Sequence, residues 1–325
     1  MSIIDVKNLS THFRTDDGIV KAVDGVSFEL RENEILALVG ESGCGKSVTV
    51  KTVMGLLKSP PAIINGSINY KGKELVGMSN KEYYKIRGGE IGMIFQEPMS
   101  AFDPLYRVGE QASEAVAMHS TLSKEAIKEK VISMFEKVGI PEAANRYAEY
   151  PHQMSGGMLQ RMLIAITLAC DPNVLIADEP TTALDVTIQA QVLNLMRELQ
   201  KEFNTSIIFI THDLGVVAEL ADRIHVMYAG KIVEKANVVE LFDNPKHPYT
   251  KGLLNSRLKR ELKGQELPYI EGTVPRAFEF PKGCRFNPRC PHAMDICREK
   301  DPELTDLGKE HDCACWLYAT GADSE

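Results

Sequence analysis

An octapeptide near the start of the chain limits the possible folds more than any other feature. Gly40-Glu41-Ser42-Gly43-Cys44-Gly45-Lys46-Ser47 follows a short apolar run, Ile35-Leu36-Ala37-Leu38-Val39, and opens a helix. Glycines at these positions let backbone N–H groups curl around phosphate oxygens, and the helix N-terminus adds a favourable dipole. In this pattern Lys46 reaches the β- and γ-phosphates, and the Ser47 hydroxyl ligates Mg²⁺. Gly40, Ser42, Gly43, Gly45 and Val48 join them as expected contacts to ATP. Cys44 lies in the same nucleotide-binding loop at a variable position, and its side chain is assigned no role. The order strand, turn, helix separates this loop from an ordinary glycine-rich turn.

Around the loop, apolar runs alternate as strands and helices, the pattern of an α/β fold with a mostly parallel sheet core. Val174-Leu175-Ile176-Ala177 ends at two carboxylates, and Ser206-Ile207-Ile208-Phe209-Ile210 ends at Thr211-His212-Asp213. Such continuous runs suit strands covered on both faces. Between them, Val192, Met196, Leu199 and Phe203 recur at helical spacing, which predicts a crossover helix. Two strand-like runs flanking Ala229-Gly230 read as a hairpin. The polar, helix-rich stretch 98–165 interrupts the strand rhythm as an inserted helical subdomain. The chain thus divides into a nucleotide-binding domain (1–243), a proline-punctuated linker (244–270) and a small cysteine-rich C-terminal extension (271–325). Its 325 residues, 44% apolar and 25% charged, suffice for one large domain with such an appendage.

Asp178 and Glu179 end an apolar strand, where carboxylates are costly unless something pairs with them. A Mg²⁺ beside a phosphate loop is such a partner: Asp178 would hold the metal and Glu179 would polarise the attacking water as a general base. Met154-Ser155-Gly156-Gly157-Met158 stands before a further helix, and His212 follows the third strand. In this order the motifs resemble those of an ABC transporter nucleotide-binding subunit over residues 3–250, which implies a P-loop ABC ATPase fold. The resemblance implies that Gln96 is the Q-loop glutamine, at the Mg²⁺ and the reacting water, that Asp185 is the D-loop aspartate, and that His212 is the switch histidine. It also implies that Ser155, Gly156 and Gly157 meet the γ-phosphate, and that Phe13 stacks on adenine. The family's usual Leu-Ser-Gly-Gly-Gln signature here has methionine at both ends, Met154 and Met158.

Five of the seven cysteines fall between Cys284 and Cys315, in a segment too short for a strong core of its own. Their spacing is unlike the tight C-x-x-C pairs of structural zinc sites, and four thiolates can equally hold an iron–sulfur cluster. Gly283-Cys284-Arg285-Phe286-Asn287-Pro288-Arg289-Cys290-Pro291, with Cys297 and Cys315-Trp316, resembles the C-terminal extension of dipeptide and oligopeptide importer subunits. That resemblance implies a [4Fe–4S] cluster on Cys284, Cys290, Cys297 and Cys315, with Zn²⁺ as the alternative and Cys313 spare. Asn244-Pro245-Lys246-His247-Pro248-Tyr249-Thr250 and the run Ala177–Thr187 resemble the same group. Of its two homologous ATPases, the chain is similar to the D-type, chiefly on the methionine signature.

A formal charge of −8 gives no support to a nucleic-acid partner. A DNA-repair ABC ATPase would need a long coiled coil between Lys46 and Ser155, where only about a hundred residues stand without sustained heptads. A ribosome-acting ABC ATPase usually carries two ATPase domains, and a stand-alone metal protein would leave the ATP motifs unexplained. Without a signal peptide pattern or a run of about 18 apolar residues, the chain is expected to stay cytoplasmic, peripheral to the membrane. The implied partners are a homologous F-type ATPase or a second copy, two integral-membrane permeases and, indirectly, an extracytoplasmic peptide-binding protein. Related importers of nickel, glutathione or antimicrobial peptides leave the cargo open.

Overall fold

The computed structural model describes residues 1–182, 184–256 and 269–319. Ala183, part of the expected linker (257–268) and the end of the expected extension (320–325) lie outside the described residues. Two compact units divide the chain: Met1–Arg31, Ile35–Met78 and Thr211–Glu325 form one, and Glu32–Glu34 with Ser79–Ile210 the other.

In the first unit, Ile35–Val39 is buried at all five positions and runs parallel to Arg223–Tyr228, with Leu36 opposite Arg223 and Val39 opposite Val226. Burial on both faces explains why this strand reads as a continuous apolar run. Arg223–Tyr228 turns back antiparallel into Lys231–Asn237 through Ala229 and Gly230, whose φ angles are 48° and 82°. Two successive positive φ angles make the tight, right-twisting hairpin expected at this pair. A separate antiparallel sheet orders Gly18–Arg31, Ser2–Thr15, Ala62–Tyr70 and Lys73–Glu74. No motif in the sequence announced it.

The C-terminal extension builds onto the first unit. Asp312–Cys313 pairs antiparallel with Lys231–Asn237, and Thr305–Asp306 pairs with it in turn. Under this edge lies Glu234, fully buried, whose carboxylate accepts the N–H groups of Lys246 (2.6 Å) and His247 (3.0 Å) and faces His311 Nε2 at 2.8 Å. A buried carboxylate satisfied from three directions is costly to disturb, about 3–5 kcal/mol when one partner of such a set is removed. The proline-punctuated stretch after Asn244 opens with a helix, Pro248–Asn255. Pro248 stands in its first turn, where the missing N–H costs nothing, and His247 Nδ1 caps it by accepting the Tyr249 N–H at 3.1 Å.

In the second unit, Ile91–Ile94, Val174–Asp178 and Ser206–Thr211 run parallel, with Ile91 opposite Val174 and Val174 opposite Ser206. The helix Val186–Phe203 connects the last two and buries Val192, Met196 and Leu199, while Phe203 is half-buried beneath the Lys137 ammonium. Between Pro98 and Leu168 the described elements are all helical, the longest being Val108–His119, Lys124–Lys137 and Gly156–Leu168. Among the described residues no helix is long and apolar enough to cross a membrane.

Burial holds the His247 imidazole down to about 4, against the opposing pull of the Glu234 charge. Its cap contact requires an unprotonated Nδ1, whereas the unfolded imidazole takes up its proton near pH 6.5. Stability from this group is therefore fully present above about pH 6.5 and lost as pH falls toward 4, by at most about 3 kcal/mol. Denaturant unfolding between pH 7 and 4.5 should show a shallower pH slope in His247→Asn, which keeps a capping acceptor but does not titrate. Equal slopes would exclude this role.

Candidate functional site

Steric exclusion shapes the phosphate loop in the first unit. At Gly40, with φ 153°, a Cβ would stand 2.2 Å from the Met227 carbonyl oxygen; at Gly45, with φ 98°, it would stand 2.4 Å from that of Ala22. Both places require glycine for room as well as for backbone angle. Gly43 also has a positive φ, 81°, but faces open space. The helix Lys46–Val53 starts directly after Gly45. Lys46 is buried, and its ammonium donates to the carbonyls of Gly40 (2.7 Å) and Glu41 (3.0 Å), curling back over the loop. Phosphate oxygens can take over those donors without moving the helix. Ser42 and Gly43 are exposed at the crest, and Ser47 and Val48 are half-buried in the first helical turn. Cys44 is fully buried, its carbonyl accepts the Gly230 N–H at 2.9 Å, and burial pushes its thiol pKa up. Its part is packing.

The carboxylates sit in the second unit. Val174–Asp178 carries Asp178 at its buried end, and Glu179 follows with a φ of 48°, the left-handed region that a non-glycine residue enters only under constraint. Its N–H stays tied to the Ile210 carbonyl at 3.0 Å. The Glu179 carboxylate accepts the Gln96 amide at 3.1 Å and the Thr182 hydroxyl at 3.1 Å, both on Oε2. Gln96, exposed just beyond the strand Ile91–Ile94, is thus brought to Glu179, and so is Thr182, which the sequence reading gave no role. Thr182 stands three residues after Glu179, the reach of one tight turn, and that spacing was its available signal.

Other site residues stand at helix starts. Ser155 caps Gly156–Leu168, its Oγ accepting the Met158 N–H at 3.3 Å, and Ser155 and Gly156 are exposed. Met158 serves the cap through its backbone, which glutamine would do no better. A Cβ on Gly157 would come within 3.1 Å of Ile188 Cγ2. Asp185 caps Val186–Phe203 by accepting from the N–H groups of Thr187 and Ile188, both at 3.0 Å. His212 is exposed after Ser206–Thr211 in the first unit. Phe13, half-buried, lies on Ser2–Thr15 opposite Val20 and Ala62.

In the extension, Cys284, Cys290, Cys297 and Cys315 line one small apolar cavity with His247, Phe286 and Trp316 among its other walls. Cys313 is not among them; it is buried on the strand Asp312–Cys313 opposite Glu234. Burial raises the Cys284 thiol to about 12, and burial likewise raises those of Cys290 and Cys315. Thiolates here therefore need a cation. Among the described residues no three His, Cys, Asp or Glu side chains are gathered closely enough to hold a metal ion as they stand. The donor set fits a thiolate-bound group in kind and convergence, but the thiols are not closed into a ligating set.

Two arginines between these cysteines reach back into the first unit, one of them to the phosphate loop, which the sequence did not disclose. Arg289 pairs with the Glu41 carboxylate through both terminal nitrogens, at 2.7 and 3.1 Å. Arg285 donates to the Ala229 carbonyl and pairs with Asp24. The Tyr249 hydroxyl accepts the Glu41 N–H at 2.8 Å. Tyr228, Tyr249 and Phe286 form an aromatic cluster behind them, with ring centroids 4.6–5.4 Å apart. Their signal in the sequence was a pair of arginines four apart in a segment otherwise marked by thiols.

A glycine loop that cradles phosphate before a helix, in a chain whose strand-end carboxylate is gripped by an amide and a hydroxyl, is the build of a nucleotide-hydrolysing cassette. The chain belongs to the ABC transporter family, among the ATP-binding subunits of its oligopeptide/dipeptide branch. The family model described as "ABC transporter" matches residues 23–182, and that described as "Oligopeptide/dipeptide transporter, C-terminal region" matches residues 233–297. The dipeptide transport ATP-binding protein DppD of Bacillus subtilis is 51% identical over 99% of this chain and 96% of its own length. The oligopeptide transport ATP-binding protein OppD of Escherichia coli is 48% identical over 93% of this chain and 89% of its own. The ATP-binding cassette MJ0796, solved as a dimer in a post-hydrolysis state with ADP and Pi, superposes with a TM-score of 0.65 at 25% identity, covering 72% of this chain and 98% of that one.

The two buried approaches make a differential prediction. Gly43→Ala bears only backbone strain, about 1–2 kcal/mol, whereas Gly45→Ala adds overlap with the Ala22 carbonyl. Thermal unfolding without nucleotide should show the larger loss for Gly45→Ala, and ATP binding should fail only there. Equal losses would show that the Ala22 approach does not constrain the loop.

Proposed function

We propose that this chain is the ATP-hydrolysing engine of a di- or oligopeptide importer, holding Mg-ATP on the loop Gly40–Ser47. The observation that carries this reading is identity to peptide-transport ATP-binding subunits extending through the cysteine-bearing extension. Lys46 binds the β- and γ-phosphates, Ser47, Gln96 and Asp178 serve the Mg²⁺, and Glu179 draws the proton from the attacking water. Gln96 and Thr182 both donate to Oε2 of the Glu179 carboxylate and so orient the proposed base. His212 acts at the γ-phosphate and Phe13 stacks on the base.

The exposed Ser155 and Gly156 at the positive end of a 13-residue helix suit a γ-phosphate held by another subunit. Two subunits therefore pair head-to-tail, this D-type chain with an F-type homologue or a second copy, Asp185 lying at the seam. The pair works at the cytoplasmic face of the membrane as a peripheral assembly on two permeases, which an extracytoplasmic binding protein supplies with peptide. The region from Gln96 to Arg107 transmits closure to those permeases. In the extension, Cys284, Cys290, Cys297 and Cys315 would hold a [4Fe–4S] cluster, which supplies cross-linking to a segment with little apolar core; zinc is the alternative.

Two measurements test this reading. Glu179→Gln in the reconstituted transporter should retain ATP while turnover drops about a hundredfold or more, as loss of a general base predicts; near-normal turnover would remove Glu179 from that role. Anaerobically purified protein should be brown with about four irons per chain. Cys297→Ser should remove the colour and Cys313→Ser should leave it. One zinc per chain without iron would reject the cluster.

A further inference from the structure

The loop that takes the phosphates is anchored by residues outside the nucleotide motifs. Glu41 is its second residue, and three groups converge on it: the Lys46 ammonium on its carbonyl, the Tyr249 hydroxyl on its N–H, and the Arg289 fork on its carboxylate. The Arg289 side chain is only 4% exposed, against 32% for Glu41. Its remaining donors are used as well, Nε on the Glu271 carbonyl at 2.8 Å and a terminal nitrogen on that of Ile270 at 3.3 Å. A guanidinium so enclosed, with its fork fixed from behind, holds one carboxylate in one place.

Electrostatics gives that contact a second consequence. Glu41 is an acid in the very turn that must receive a polyanion. Bare, its charge would oppose a triphosphate; paired in a fork, it presents a neutral ion pair. Arg285, four residues earlier, donates to the Ala229 carbonyl, and the neighbouring Gly230 N–H holds the Cys44 carbonyl of the loop.

We propose that Arg289 is a positioning residue for nucleotide binding: from the cysteine-rich extension it sets the first turn of the phosphate loop and cancels the Glu41 charge that would repel ATP. This rests on the reading that Gly40–Ser47 holds the triphosphate.

The test is a double-mutant cycle on the full-length chain, with Mg-ATP affinity measured by calorimetry. Arg289→Gln should weaken Mg-ATP by about tenfold, the order of a lost charge-assisted contact. Glu41→Gln should change affinity by less than about threefold, and Glu41→Gln/Arg289→Gln should return to that level, since no uncompensated charge remains. The Arg289→Gln deficit should shrink as salt rises from 0.05 to about 0.5 M, because screening acts on the exposed carboxylate. Arg289→Lys, with charge but no fork, should fall between wild type and Arg289→Gln. An anchor that merely holds the extension folded would give a double variant no better than Arg289→Gln and a deficit indifferent to salt, and either result overturns the proposal. So does unchanged affinity in Arg289→Gln while Lys46→Ala loses ATP. If Lys46→Ala binds Mg-ATP normally, the loop assignment itself fails, and Arg289 with it.

Discussion

The phosphate loop runs where it does because two carbonyl oxygens leave no space beside it. The Met227 and Ala22 oxygens stand so close to Gly40 and Gly45 that a single methyl group at either place would overlap them. Both oxygens belong to strands, Arg223–Tyr228 and Gly18–Arg31, so the loop inherits its shape from the register of the sheets on either side. Lys46 lies back across the turn, on the carbonyls of Gly40 and Glu41. The glycines permit this path and the neighbouring strands impose it.

Much of the logic of each unit was legible in the sequence, for definite reasons. Strands buried on both faces carry few polar residues, so Ile35–Val39, Val174–Ala177 and Ser206–Ile210 stand out without any structure. The antiparallel sheet did not stand out because its alternation is broken. Ser2–Thr15 shifts register between Val6 and Leu9, and again between Leu9 and Thr11, so buried positions fall off the period of two. The helix Pro248–Asn255 was hidden by prolines that read as breakers, although Pro248 stands where a helix tolerates one. Glu41 and Arg289, 248 residues apart, carry no mutual sign in a single sequence.

Several of the proposed site residues also work for the fold. Ser155 and Asp185 cap helices with side-chain oxygens, and a capping hydroxyl still has its own hydrogen to give outward. Ser155 can therefore meet a phosphate without releasing the Met158 N–H. Methionine at position 158 leaves this cap intact, because the helix start uses its backbone. Glu179 shows the opposite economy, its backbone bent into a left-handed turn so that Gln96 and Thr182 can both reach one carboxylate oxygen.

The separation of Glu41 from Arg289 also sets an order of events at the ribosome. The loop is synthesised within the first 50 residues, but the guanidinium that grips it follows 248 residues later. At about 5–20 residues per second, roughly 12 to 50 seconds pass between the two. Throughout that interval the nascent chain carries a phosphate loop whose glutamate is unpaired and whose first turn has no outer anchor. If Arg289 positions the loop as proposed, nucleotide binding reaches full strength once the extension has emerged. A chain broken off before residue 289 would display every nucleotide motif and still lack the last grip on its loop.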